Sequence, residues 1–214
     1  MEGRIAIIRD NLLAAIDRIA AAMERDFERL NAADGALGDG DLGVTMTRGM
    51  RAILAMRDEL PEDLGKALLL CAQAFTKSSG SSYGTLLATG LMAVAKPLRG
   101  QDFIGLENLP DLIAEARDKM QARGKAELGG KTVLDSLDYL ARATAQALAE
   151  GRSGAEEMAA AAAGAVDQAL EAFRDKPATV GRARIFGEKS RGKDDPGMLA
   201  MQSLVKAAVD PKYQ

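Results

Sequence analysis

Apolar residues recur every three or four positions along most of this chain, the spacing of one face of a helix. Ile5, Ile8, Leu12, Ile16, Ile19, Met23, Phe27 and Leu30 form one stripe and predict a long first helix. Thr45 to about Arg57 predicts a second, with Met46, Met50, Ile53 and Leu54 inward. Pro61 predicts the opening of a third, because proline suits a first helical turn; its apolar face carries Leu64, Leu68, Cys71, Ala72 and Phe75. A fourth carries Leu86, Leu87, Leu91, Val94 and Leu98 and ends at Pro97 and Gly100. A fifth, about Glu107 to Arg123, buries Leu109, Leu112, Ile113, Ala116 and Met120. A sixth runs to about Glu150 on Leu134, Leu137, Leu140 and Leu148. Ser153, with Glu156 and Glu157 behind it, reads as the N-cap of an alanine-rich seventh helix that ends near Phe173. An eighth spans about Gly197 to Val209. The one strand-like piece, Arg184 to Phe186, is too short to count. The expectation is an all-α fold: an eight-helix up-and-down antiparallel barrel or bundle, one domain over residues 1–214.

The connections are of two kinds. Those after the second, fourth and sixth helices are ordinary. Those after the first, third, fifth and seventh are rich in glycine, hydroxyls or charge: 34–43, 76–85, 124–132 and 176–196. In an up-and-down array alternate connections share an end, so chemistry should gather at one end of the bundle. The last of the four is long enough to be either functional or disordered.

Composition removes several classes of chemistry. The chain has no histidine and one cysteine, Cys71. Histidine-based triads, phosphohistidine on this chain, cysteine or histidine zinc sites and internal disulfides are therefore excluded. Cys71, on an apolar face, reads as a core thiol. The net charge of −3 gives no basic nucleic-acid footprint. No apolar run reaches the roughly 18 residues of a membrane span, and the polar N-terminus has no secretory pattern. A cytoplasmic protein is expected, with neither nucleic acid nor membrane as partner. The sequence is compatible with a homodimer.

Residues 34–43 stand out. Asp34, Asp39 and Asp41 place three carboxylates within a short glycine-spaced run. At about 4 Å, each pair of like charges costs on the order of 4 kcal/mol at an effective dielectric near 20. Asp-Gly pairs also make ordinary solvated turns. The favoured reading is a hard-cation site of oxygen ligands, most simply Mg²⁺. Three formal motif matches fail on context. Residues 38–43 fit G-x-G-x-x-G but follow a helix, whereas a dinucleotide fold needs a strand. Residues 129–132 end like a P-loop, but Gly124 is one position too far upstream. Asp39 and Asp41 begin like a calcium loop, but Met50 stands where its bidentate Glu belongs.

Four ordered motifs resemble the nucleotide-binding L subunit of dihydroxyacetone kinase. They are Asp34 with residues 38–43 and 46–49, then Ser79-Gly80 with Tyr83-Gly84-Thr85, then Arg123 to Asp135, then Gly181 to Gly197. The resemblance covers almost the whole chain. It implies an eight-helix barrel holding ADP or ATP at one end. It implies two Mg²⁺ ions on Asp34, Asp39 and Asp41, bridging to phosphates. Leu42, Gly43, Val44 and Thr45, with Ser78 and Ser79, would meet the phosphates, and Gly124 and Val133 would border the adenosine. Arg182, the implied catalytic residue, and Asp195, Pro196 and Gly197 would close over the nucleotide as a lid. Phosphoryl transfer is mostly positioning and charge neutralisation, which this residue set can supply without histidine.

The resemblance further implies a separate K-type subunit that holds dihydroxyacetone. The phosphoryl donor is ATP in some such systems; in others a phosphohistidine protein of the phosphotransferase system recharges bound ADP. Leu42 and Lys193 stand where the family usually has His, Thr45 where it has Asn, and Gly130 where it has Asp. A related short ketose such as a tetrose fits equally well. The alternative function is a non-catalytic ADP-binding module that regulates a partner, such as a transcriptional regulator.

Overall fold

Each amphipathic stripe finds its partner in the next helix along the chain. The computed structural model describes residues 6–78 and 80–210. Its helices are α1 (Arg9–Arg25), α2 (Phe27–Leu37), α3 (Leu42–Leu54), α4 (Leu64–Ser78), α5 (Ser82–Ala95), α6 (Leu109–Gly124), α7 (Val133–Ala149), α8 (Ala155–Arg174) and α9 (Pro196–Val209). From α3 onward each packs on its successor, α1 packs on α3, and α9 returns to pack on α1. With α1 and α2 as one broken stave, this is the expected eight-membered all-helical barrel. Arg18 on α1 seals the ring. Its guanidinium donates to the carbonyls of Ala207 and Ala208, at 2.8 and 2.6 Å, at the end of α9. Those last-turn carbonyls have no partner within their own helix, and a cation there also suits the helix dipole.

One large apolar cluster joins Met23, Leu30, Met46, Phe75, Phe173, Met198 and Ala200. A second joins Met120, Leu134, Leu137 and Val166 on α6, α7 and α8. Each of the larger side chains among these, fully buried, contributes about 1.5–3 kcal/mol. Cys71 is buried and free, and burial pushes its thiol up to about 11. No helix among the described residues is long and apolar enough to cross a membrane.

Several boundaries differ from the periodicity. Ile5 lies outside the described residues. Ala6–Ile8 is not helix but β1, paired antiparallel with β2 (Phe103–Gly105), Ile8 opposite Phe103. A three-residue ladder has too few positions to show a period of two. The first stave breaks at Asp26, then continues past Leu30 to Leu37, so Asp34 sits in a helical turn rather than a loop. Helix α3 begins at Leu42, not Thr45, and α4 at Leu64 rather than Pro61. Asp63 sets the latter start: its carboxylate accepts from the Lys66 amide at 2.9 Å and the Gly100 amide at 3.1 Å. Gly154, not Ser153, caps α8; its amide donates to Glu157 at 3.0 Å. The long 176–196 connection is folded, with 3-10 turns over Arg182–Ser190.

The start of α4 packs at Gly65 against the end of α5 and the turn that follows it. A Cβ there would lie 2.5 Å from the Arg99 amide nitrogen and 2.7 Å from the Ala95 carbonyl oxygen, both backbone atoms that cannot swing aside. Gly65→Ala should therefore lower unfolding stability by about 2 kcal/mol or more, despite alanine's better helix propensity. Urea unfolding followed by circular dichroism reads this directly.

Candidate functional site

The four unusual connections meet. A cavity of about 520 Å³ is lined from the α2–α3, α4–α5, α6–α7 and α8–α9 connections and the helix ends that flank them. Its size suits a nucleotide-sized ligand.

The acidic corner is built by α2 and α3. The Asp34 carboxylate accepts from the Asp41 amide at 2.9 Å and the Leu42 amide at 3.2 Å. One side chain thus folds the connection back and caps the next helix. A Cβ at Gly38 would stand 2.5 Å from the Asp34 Oδ1 and would push that carboxylate out of place. Gly40, at φ +81°, takes the left-handed conformation that glycine adopts freely. Asp34, Asp39 and Asp41 each bring a carboxylate oxygen within 4.8 Å of the others. An all-oxygen donor set of this compactness fits a hard divalent cation. The Arg182 guanidinium pairs with Asp39 and offsets part of the negative charge.

Across the ring, Leu86, Met120, Ala126, Val133 and Leu134 give the cavity an apolar wall, with Gly124 and Arg123 at its edge. Gly80, Ser81 and Ser82 supply a polar wall at the start of α5, where the Ser81 hydroxyl accepts from the Gly84 amide at 3.0 Å. Thr132 opens α7: its hydroxyl accepts from the Leu134 amide at 3.2 Å, and the buried Asp135 carboxylate accepts from the Thr132 and Gly129 amides at 2.8 and 2.5 Å. This is the reciprocal capping box.

Asp195, Pro196 and Gly197 form the N-cap and first turn of α9 and line the cavity as a wall. Asp195 accepts from the Met198 amide at 2.9 Å. Tyr83 donates to the Gly197 carbonyl at 2.9 Å and ties α5 to this turn. Burial pushes the Asp195 carboxyl up to about 7, against the opposing pull of the Met198 and Gly197 amides and Lys131.

Of the residues expected from the sequence, Asp34, Asp39, Asp41, Leu42, Gly124, Val133, Arg182, Asp195, Pro196 and Gly197 line one cavity. Gly43, Val44, Thr45 and Ser78 do not. The Gly43 and Val44 amides are taken by Asn31 Oδ1 at 2.8 and 3.3 Å, the Thr45 amide by the Asp41 carbonyl, and the Ser78 hydroxyl by the Phe75 carbonyl. The start of α3 is therefore capped by α2 and presents no spare amides from these positions. Ser79 lies outside the described residues. Sequence reasoning missed Leu86 and Met120 as lining, and it placed Tyr83 in a motif without giving it a site role. The apolar spacing of Leu86 and Met120 marks them as ordinary inward helix positions, and only their place near helix ends could have singled them out.

Fold and rim together define a helical barrel with an acidic, cation-competent cavity at one end. The chain belongs to the DAK2 domain family, whose profile matches residues 36–210. It is 33% identical to the triokinase/FMN cyclase of Bos taurus over 86% of this chain and 32% of that protein. It is 31% identical to the L-erythrulose 1-kinase of Mycolicibacterium smegmatis over 92% of this chain and 34% of that one. The chain thus spans about a third of the length of these relatives. It is 28% identical to the ADP-binding subunit DhaL of the PEP-dependent dihydroxyacetone kinase of Escherichia coli, over 95% of this chain and 99% of that one. Among solved structures, the C. freundii dihydroxyacetone kinase in complex with AMP-PNP and Mg²⁺ superposes with a TM-score of 0.68 at 25% identity, covering 91% of this chain and 32% of that chain.

The raised Asp195 carboxyl has a consequence for stability. Because its folded value lies above its unfolded one, the native state holds the extra proton between about pH 4 and 7, and stability falls as pH rises through that window. Asparagine caps a helix as well as aspartate does. Asp195→Asn should remove up to about 1 kcal/mol per pH unit of that slope. Urea midpoints compared at pH 4.5 and 7.5 would show it.

Proposed function

We propose that this chain is the Mg²⁺-dependent nucleotide-binding part of a kinase for a short ketose, acting with a K-type subunit that holds the sugar. The observation that carries this reading is a single cavity that sets a carboxylate triad against an apolar wall. A nucleotide has the same two-part chemistry, phosphates that need cations and a flat base that needs apolar contact. The names of the relatives, triokinase, L-erythrulose kinase and dihydroxyacetone kinase, support a three- or four-carbon ketose as the acceptor.

Asp34, Asp39 and Asp41 would hold the metal, which we take as two Mg²⁺ ions. Bound there, Mg²⁺ supplies charge neutralisation for the phosphates of ADP or ATP. The chain's own residues position the rest. Leu86, Met120, Val133 and Leu134 receive the base beside Gly124. Gly80, Ser81 and Ser82 face the phosphates from the start of α5, a role first expected of Ser78 and Ser79. With a cation on the triad, Arg182 would be free of Asp39 to face the transferred group, where a guanidinium stabilises the charge of the transition state. The α9 turn at Asp195 shields the cavity from water. The donor is ATP, or bound ADP recharged by a phosphohistidine protein; the relative named PEP-dependent supports the second route.

Two substitutions test the assignment. Asp39→Asn should weaken Mg·ADP binding by about tenfold or more, read by calorimetry, with the thermal midpoint little changed. Unchanged affinity would remove Asp39 from the metal site. Arg182→Ala should lower kcat by about 100-fold or more and weaken nucleotide binding by a smaller factor, about five- to tenfold, in an assay with dihydroxyacetone or erythrulose and a K-type subunit. Tight nucleotide binding by the wild-type protein without transfer to either sugar would instead support a regulatory ADP-binding module.

A further inference from the structure

Lys131 is the largest fully buried side chain of the described residues, at 1% exposure, and it sits beside the cavity rather than in its lining. Its ammonium donates to three backbone carbonyls: Arg174 at 2.8 Å, Lys176 at 2.9 Å and Ser190 at 2.8 Å. An ammonium has three protons, so its donors are all used. Its backbone is left-handed, at φ +62°, a conformation uncommon for a non-glycine residue and maintained only when the surroundings enforce it.

The three carbonyls mark the two ends of one segment. Arg174 ends α8, Lys176 leads out of it, and Ser190 closes the 3-10 turns that start at Arg182. Further bonds fasten the same segment. The Thr179 amide donates to the Gly130 carbonyl at 3.2 Å, and the Ser190 hydroxyl accepts from the Ala178 amide at 2.7 Å while donating to the Gly187 carbonyl at 2.6 Å. Val180 packs where Gly130 has no side chain; a Cβ there would lie 2.6 Å from Val180 Cγ2. Between these anchors the segment carries Val180, Gly181, Arg182 and Ala183 into the cavity. The half-exposed Arg182 side chain pairs with Asp39, so its reach depends on the backbone that bears it.

We propose that Lys131 is a positioning residue for the nucleotide site: by clasping both ends of the 176–190 segment it sets where Arg182 meets the acidic triad and the phosphates. This rests on the nucleotide reading of the cavity. It assigns to the α6–α7 turn a role separate from any contact with the ligand, that of holding the α8–α9 connection in place.

The test pairs Lys131→Met, which keeps the stem and removes the donors, with Arg182→Ala and the double variant. Amide hydrogen exchange of the ligand-free proteins reads the clasp; Mg·ADP calorimetry reads its effect. In Lys131→Met, exchange over 176–191 should rise by about tenfold or more while α1, α3, α4 and α5 keep their protection. Mg·ADP affinity should fall by about the factor seen for Arg182→Ala, and the double variant should be no weaker than the weaker single one. Losses that multiply in the double variant, wild-type affinity in Lys131→Met, or deprotection of the whole barrel would each overturn the proposal. Should Lys131→Met not fold, Ser190→Ala loosens the same segment without stranding a buried charge; raised exchange there with wild-type affinity would overturn it as well. If the wild-type protein takes up no Mg·ADP, the nucleotide reading fails, and with it the role of Lys131 toward the ligand, whatever the exchange data show.

Discussion

Closing an antiparallel ring of helices forces alternate connections to one rim, and this constraint organises the rest of the molecule. Arg18 holds the ring shut by bonding the last carbonyls of α9, while the apolar cluster running from Met23 to Met198 fills the interior between the staves. Elaborate connections, rich in glycine, hydroxyls or charge, alternate with plainer ones. The elaborate ones therefore converge without any long-range contact having to be specified on its own account.

At that rim, polar side chains satisfy the first amides of the helices, reaching across from α2 at the start of α3 and coming from the helix's own cap and first turn at α7 and α9. Asn31 and Asp34 cap α3, Asp135 and Thr132 cap α7, and Asp195 caps α9. Helix starts need such partners, because their first amides have none within the helix. In Asp34 and Asp195 the same carboxylate also faces the cavity. The oxygen-rich rim that suits a divalent cation is thus partly the fold's own capping chemistry turned inward.

Charge is handled in two ways. Where solvent reaches, as at Asp39 and Arg182, the pair is open to exchange partners, and its net worth is small. Where solvent is excluded, the charge of Lys131 is matched locally. The Lys131 ammonium rests on three carbonyls, and burial holds it below the usual lysine range even with Asp195 nearby. The exposed pair suits a site that must rearrange around a ligand. The buried clasp suits a part that must stay fixed while the site does so.

The sequence by itself determined the helical class, the up-and-down order and the clustering of chemistry at one rim. Those follow from the 3.6-residue period of residues such as Ile16, Met46 and Leu134 and from the parity of the connections. It also located Asp34, Asp39 and Asp41, because like charges at such close spacing have few explanations. Only the tertiary structure decided which polar groups remain available there. Asn31, an unremarkable residue in a helical pattern, takes the amides of Gly43 and Val44, and Lys131 turns away from the cavity to grip a segment more than forty positions later. Local pattern fixes where a helix wants to lie. A hydrogen bond between residues far apart in the chain leaves no trace in that pattern, so its partners emerge only when the ring closes.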